Sequence, residues 1–217
     1  HEEIAGNLVE QLWAKEKRKS WIVLSDDHRE RGMTALKELG VPCDAWYVTL
    51  HARQAGYRDR GSQGEDYRNV EIATYEMAIK EITREGGWVI RMGDSSMPPL
   101  REMSQVVDYA NHPLRCDWLD VFFGATCKFC VATSSGYYVI PRAFGVPVLL
   151  TNFLPMMCYY SLSERDVVLP KRLRRVNGGY LTCEEQLDPT ISYAVNSQSY
   201  VNLGLEVVGN TSNELAH

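Results

Sequence analysis

Between residues 46 and 151, short apolar runs alternate with segments of helical spacing, and this alternation limits the chain's possible folds more than any other feature. Residues 45–51 read as a strand. Residues 69–85 carry Ile72, Tyr75, Met77, Ala78, Ile79 and Ile82 at helical spacing and stop at Gly86-Gly87. Residues 88–92 form a second strand, 117–125 a helix, 129–132 a strand, 135–144 a helix and 147–150 a strand, with a further short strand expected at 106–109. Strand–helix alternation with short connections predicts an α/β fold, a doubly wound and mainly parallel Rossmann-like sheet covered by helices on both faces.

The flanks are less regular. Residues 4–18 have helical character, 21–24 read as a short apolar strand, and Ser25, Asp26 and Asp27 offer caps for a helix ending before Gly40. Residues 52–68 have no period and read as a long loop, the kind of segment that often carries function. Residues 166–175 fit a basic helix or an extended arm, and Thr211 or Ser212 suits the cap of a last helix. We divide the chain into an N-terminal flank, residues 1–44, and a Rossmann-like domain, residues 45–217.

Several function classes are disfavoured at once. A net charge of −5 argues against general affinity for nucleic-acid backbones, although a few local arginines suffice for a small anion. No run of 18 apolar residues is present, so no membrane span is expected. The start, His1-Glu2-Glu3, lacks signal-peptide character and is not Met, which suits a processed product or part of a longer protein. The six cysteines have irregular spacing and read as reduced thiols of a cytoplasmic protein. Cys127-Lys-Phe-Cys130 has no second pair or histidine in register for zinc and sits in a strand rather than at a helix start.

In open parallel sheets, ligands bind outside the carboxyl ends of the strands. That rule gathers His51 and Arg53, then Arg91 and Asp94, then Thr133, Ser134, Ser135 and Gly136, and last Asn152 on one edge. The Thr133–Gly136 turn leads into a helix, where free backbone N–H groups and small side chains let a phosphate approach. Arg53 and Arg91 sit at strand ends, and a guanidinium fork matches diphosphate oxygens; Arg68 is a weaker addition. His51 and Asp94 are the candidate catalytic groups, each with an ordinary structural alternative as a satisfied histidine or an ion-pair partner of Arg91. Neither the P-loop nor the GxGxxG pattern is present, and no Gly-x-Ser-x-Gly elbow supports a serine hydrolase.

At these residues the chain resembles a family of bacterial glycosyltransferases associated with surface-polysaccharide loci. The likeness is carried by Val48-Thr-Leu-His-Ala-Arg53 with Tyr57, Tyr67-Arg-Asn69 with Tyr75, Gly87-Trp-Val-Ile-Arg-Met-Gly-Asp94, Val107-Asp-Tyr-Ala110 and Asp117-Trp-Leu-Asp120. It continues through residues 129–152, Ser161-Leu-Ser163, Leu169-Pro-Lys171 and Gly209-Asn-Thr211, so that it covers about residues 20–215. The His-x-Arg at a strand end is also similar to the fucosyltransferase-like group, in which such an arginine contacts the diphosphate of a GDP-sugar. The resemblance implies the nucleotide-sugar-binding half of a two-domain GT-B enzyme, independent of metal and without a cofactor. Its partners would be a nucleotide-sugar donor, a glycan acceptor and a second domain or subunit, with residues 1–44 the remnant of an acceptor domain. The alternative is a non-catalytic nucleotide-binding module.

Overall fold

The computed structural model describes residues 2–17, 20, 22–55, 64–159 and 163–217. Two helices come first, α1 (Glu2–Lys15) and α2 (Asp26–Glu38). Ser25 caps α2 by accepting the His28 N–H, Asp26 and Asp27 occupy the first turn, where the helix dipole favours them, and Gly40 takes the left-handed φ of 79° that ends it. The chain then runs through β1 (Tyr47–His51), α3 (Glu76–Arg84), β2 (Trp88–Arg91), β3 (Val106–Val107), α4 (Asp117–Thr126) and β4 (Phe129–Ala132). It continues with α5 (Val139–Ala143), β5 (Val148–Phe153), β6 (Val167–Pro170) and β7 (Arg172–Arg175). The end comprises α6 (Cys183–Gln186), α7 (Pro189–Ser192), α8 (Ser197–Asn202), β8 (Leu205–Val208) and α9 (Ser212–Ala216).

Six strands pair in the order β3-β2-β1-β4-β5-β6, and every neighbouring pair is parallel. Side chains alternate across a strand, so each strand feeds two cores. Tyr47, Ile90, Met92, Cys130, Ala132, Val148 and Leu150 pack against α2 and α4 through Leu36, Leu119, Phe122 and Phe123. Val48, Leu50, Val89 and Val131 pack on the other face against Ile72, Tyr75, Ile79 and Leu215 of the α3 and α9 side. The expected doubly wound, Rossmann-like α/β sheet is therefore present. A small antiparallel pair, β7 with β8, has its own cluster of Tyr67, Leu154, Met156, Leu173, Leu181, Ala194, Tyr200 and Leu205.

Three local expectations change, and one left open is decided. Residues 22–24 are not a strand: Ile22 and Val23 are exposed, and one backbone bond, from Ile22 N–H to the Ala143 carbonyl at 3.2 Å, ties them down. Apolar composition alone does not make a strand where no ladder accepts it. The helix expected over 69–85 starts only at Glu76, because Ile72–Tyr75 winds as a 3-10 turn. The helix expected over 135–144 is a 3-10 turn, Gly136–Tyr138, followed by the five-residue α5. Of the two readings of 166–175 the extended one holds, as β6 and β7. The long loop is described only at its ends, with residues 56–63 and Trp21 outside the described residues.

Cys127 and Cys130 are buried free thiols whose ionisation is opposed by burial, which pushes Cys127 up to about 11. Both are core residues as expected, but only Cys130 lies in β4, while Cys127 ends α4. Among the described residues no group of three His, Cys, Asp or Glu side chains is placed to hold a metal ion, and no helix is long and apolar enough to cross a membrane.

Candidate functional site

The strand order reverses between β1 and β4, and their carboxyl ends open a crevice at that switch point. The crevice is stitched across. Thr133 donates its N–H to the His51 carbonyl at 3.1 Å, and the Arg53 N–H donates to Thr133 Oγ1 at 2.9 Å. Above it lies a cavity of about 460 Å³ lined by His51, Arg53, Glu65, Arg68, Gly93, Asp94, Met97, Arg115, Asp120, Ser135, Gly136, Tyr137 and Ile140. Six of the ten residues expected at the site thus line one cavity: His51, Arg53, Arg68, Asp94, Ser135 and Gly136.

The cations there are held in place. Arg53 and Arg68 both donate to the same Glu65 Oε2, at 2.8 and 3.1 Å, and Arg68 Nε also donates to the Ser134 carbonyl at 2.7 Å. One carboxylate oxygen is therefore gripped by two guanidiniums through charge-assisted hydrogen bonds, which are stronger than neutral ones. Arg115 donates from Nε to the Gly93 carbonyl and lies 3.6 Å from Asp120.

Burial lowers the His51 pKa to about 4, and the cations Arg91 and Arg53 act in the same direction against Asp94. Its Nδ1 lies 3.0 Å from Ser135 Oγ, and its ring stacks on Tyr137 with centroids 5.3 Å apart. His51 is therefore neutral at pH 7. Because the folded protein resists protonating this ring while the unfolded chain takes the proton near 6.5, stability is fully present above pH 6.5 and declines down to about pH 4. The loss is at most about 3 kcal/mol. Chemical denaturation of the parent and His51→Asn across this window checks it: the variant should lose part of the slope, and equal slopes would remove His51 as its source.

Asp120 was not anticipated as a site residue, although it stands in one of the resembling motifs. Its Oδ1 is buried without a hydrogen-bond partner, and its pKa is pushed up to about 6, mainly by burial, with Arg115 opposing and Asp117 assisting. A carboxyl group of this kind titrates near neutral pH, as a proton-transfer group must. Glu65, Arg115 and Tyr137 were also missed. The position of Asp120 in the first turn of α4 reads as ordinary dipole compensation, so sequence carried no separate signal for it.

The other expected residues stand elsewhere. Arg91 does not reach the cavity: it is fully buried, donates to Asp108 Oδ1 at 2.8 Å, Gln54 Oε1 at 2.7 Å and the Pro98 carbonyl, and does not pair with Asp94. Asp94 instead accepts the Ser96 N–H within its turn. Thr133 and Ser134 are buried clamps, with Ser134 Oγ accepting the Leu154 N–H at 2.9 Å. Ser135 uses its own N–H toward the Thr133 carbonyl at 2.6 Å, so fewer free N–H groups face the cavity than a regular helix start would offer. Asn152 lies in an irregularity of β5 with φ of 50° and exchanges backbone-to-side-chain bonds with Asn210 at 2.6 and 2.7 Å. It lines a second cavity, on the α3 and α9 side of the same edge.

No family model and no curated protein matches the sequence. Among solved structures, the chain is similar to a glycosyl transferase of family 9 from Veillonella parvula DSM 2008, with a TM-score of 0.50 and 11% identity. The similarity covers 83% of this chain and 51% of that one, so this chain spans about half the length of the transferase it matches. At that identity the likeness is one of fold: this chain has the α/β architecture of about half of that transferase.

Proposed function

We propose that this chain is the donor-holding part of a metal-independent glycosyltransferase. It would move a sugar from a nucleotide-diphosphate sugar to a glycan or polysaccharide acceptor, with a second domain or subunit presenting the acceptor. The observation that carries this reading is the double grip of Arg53 and Arg68 on one anionic oxygen beside the β1/β4 switch point. A diphosphate oxygen replacing Glu65 Oε2 would inherit both guanidiniums. Charge grows on the diphosphate as the sugar–oxygen bond breaks, and cations already in position stabilise that charge without reorganising. Arg115 extends the positive wall, and Ser135 with the exposed Gly136 leaves room for the backbone to be approached closely.

For the acceptor proton the cavity offers Asp120 and Asp94, while His51, with its low pKa, is better suited to hydrogen-bonding the donor than to removing a proton. If Asp120 is the base, transfer should rise with pH through about 6. Calorimetric titration with UDP, GDP and CMP is the test. Saturable heat is expected with at least one diphosphate, and the reading fails if none of the three gives heat or a thermal shift. Saturation without sugar transfer or donor hydrolysis would instead favour a non-catalytic nucleotide-binding module.

A further inference from the structure

The second cavity, about 480 Å³, takes no part in the donor reading. Lys171, just past the end of β6, lines it and is only 5% exposed. Its Nζ donates to the Asn69 carbonyl at 2.7 Å, and among the described residues no carboxylate lies within ion-pair distance of it. An ammonium has three donors, so two remain for a partner. Burial lowers its pKa to about 8, so it is still mainly charged at pH 7. A buried cation without a counter-charge is costly and is retained where something pays for it.

The rest of the wall indicates what that something is. Gln54 is buried and its side-chain oxygen is committed to Arg91, which leaves its amide nitrogen as a second donor in the cavity. Asn69 carries a buried Oδ1 with no hydrogen-bond partner, an acceptor that a hydroxyl would satisfy. Asp66 and Glu71 stand exposed at the rim, where they oppose a multiply charged ligand more than a singly charged one. The cavity volume lies in the range of small-molecule sites.

We infer that this cavity binds a singly charged, hydroxylated acid of the size of an acidic sugar unit, with its carboxylate on Lys171 and Gln54 and a hydroxyl toward Asn69. Such a unit at the carboxyl edge, beside but separate from the cavity of the arginines, would be part of an acidic glycan. The inference stands on this cavity alone and does not need the donor reading.

Saturation-transfer NMR and calorimetry on the full chain with glucuronic acid, glucose, lactate and glucose 1-phosphate test it. Glucuronate is expected to bind about ten-fold more tightly than glucose, lactate and glucose 1-phosphate, and saturating UDP should not displace it. Lys171→Met should reduce glucuronate to the level of glucose. Glu71→Gln, a change at an exposed rim residue, should strengthen it about two-fold. In the parent protein, glucuronate should slow acylation of Lys171 as read by mass spectrometry, which remains informative if the Lys171 variant does not fold. Equal binding of glucuronate and glucose, displacement by UDP, or unprotected Lys171 would each overturn the inference. Tighter lactate would overturn the sugar-sized ligand, and tighter glucose 1-phosphate its single charge.

Discussion

Replacing Arg53 and Arg68 together with methionine is expected to weaken nucleotide-diphosphate binding by about two orders of magnitude. Each guanidinium contributes a charge-assisted hydrogen bond to the same oxygen position, and such bonds are worth about 1.5–3 kcal/mol when the acceptor is ionised. The two will not add fully, because they share one acceptor. Methionine preserves much of the side-chain bulk, although Arg68 also loses its bond to the Ser134 carbonyl, so the folded fraction must be measured beside affinity. Glu65→Gln makes the opposite change. It leaves both guanidiniums in place but removes the internal competitor, and affinity for UDP or GDP should rise. Titration of the three proteins at one ionic strength checks both directions. Unchanged affinity in the double variant would mean that the diphosphate is held elsewhere.

Asp108→Ala is expected to cost about 3–5 kcal/mol of stability and leave nucleotide affinity of the folded protein unchanged. The Arg91 side chain has no exposure, and the variant strands its charge with Gln54 and the Pro98 carbonyl as the remaining partners. The same carboxylate accepts the Leu100 N–H and the Asn111 side-chain amide, so the turn after β2 loosens as well. For a domain of this size the loss corresponds to a melting temperature lower by about 10 °C. Arg91→Met should be milder, since it removes the buried charge together with its need for a partner, and Asp108 retains some solvent access. Thermal and urea denaturation read both. If Arg91→Met instead abolished nucleotide binding with little change in melting temperature, Arg91 would belong to the binding site after all.

The contrast between Arg53 and Arg91 explains how far the site was legible in the sequence. Both arginines stand at the carboxyl ends of strands, and period and composition place them on the same edge. Yet β1 points Tyr47 and His51 toward one face, whereas Leu50 pairs in register with Arg91 and packs on the other. In an antiparallel sheet with a wet face, the alternation of polar and apolar residues would have exposed this difference. Here both faces are buried, so β1, β2 and β4 read as continuous apolar runs and conceal which side each residue takes. Asn152 stands at the expected edge, but alternation from Val148 and Leu150 gives it the His51 face, and the irregularity of β5 with its φ of 50° turns it to the other cavity. Asp120 and Arg115 lie near the start of α4, past the short edge strand β3 rather than at the ends of β1, β2 or β4, and only the packing of α4 against the sheet carries them to the cavity.

From the residues alone came the alternating elements, the helix stops at Gly40 and Gly86, the cap of the last helix at Thr211 and the parallel sheet that these require, because each depends on local periodicity or backbone chemistry. Strand order, the face on which each side chain emerges, and the meeting of Arg53, Arg68 and Glu65 at one oxygen were decided by the tertiary structure. They depend on register between segments about 80 residues apart, as between Arg53 and Thr133, and no local rule of spacing contains that information.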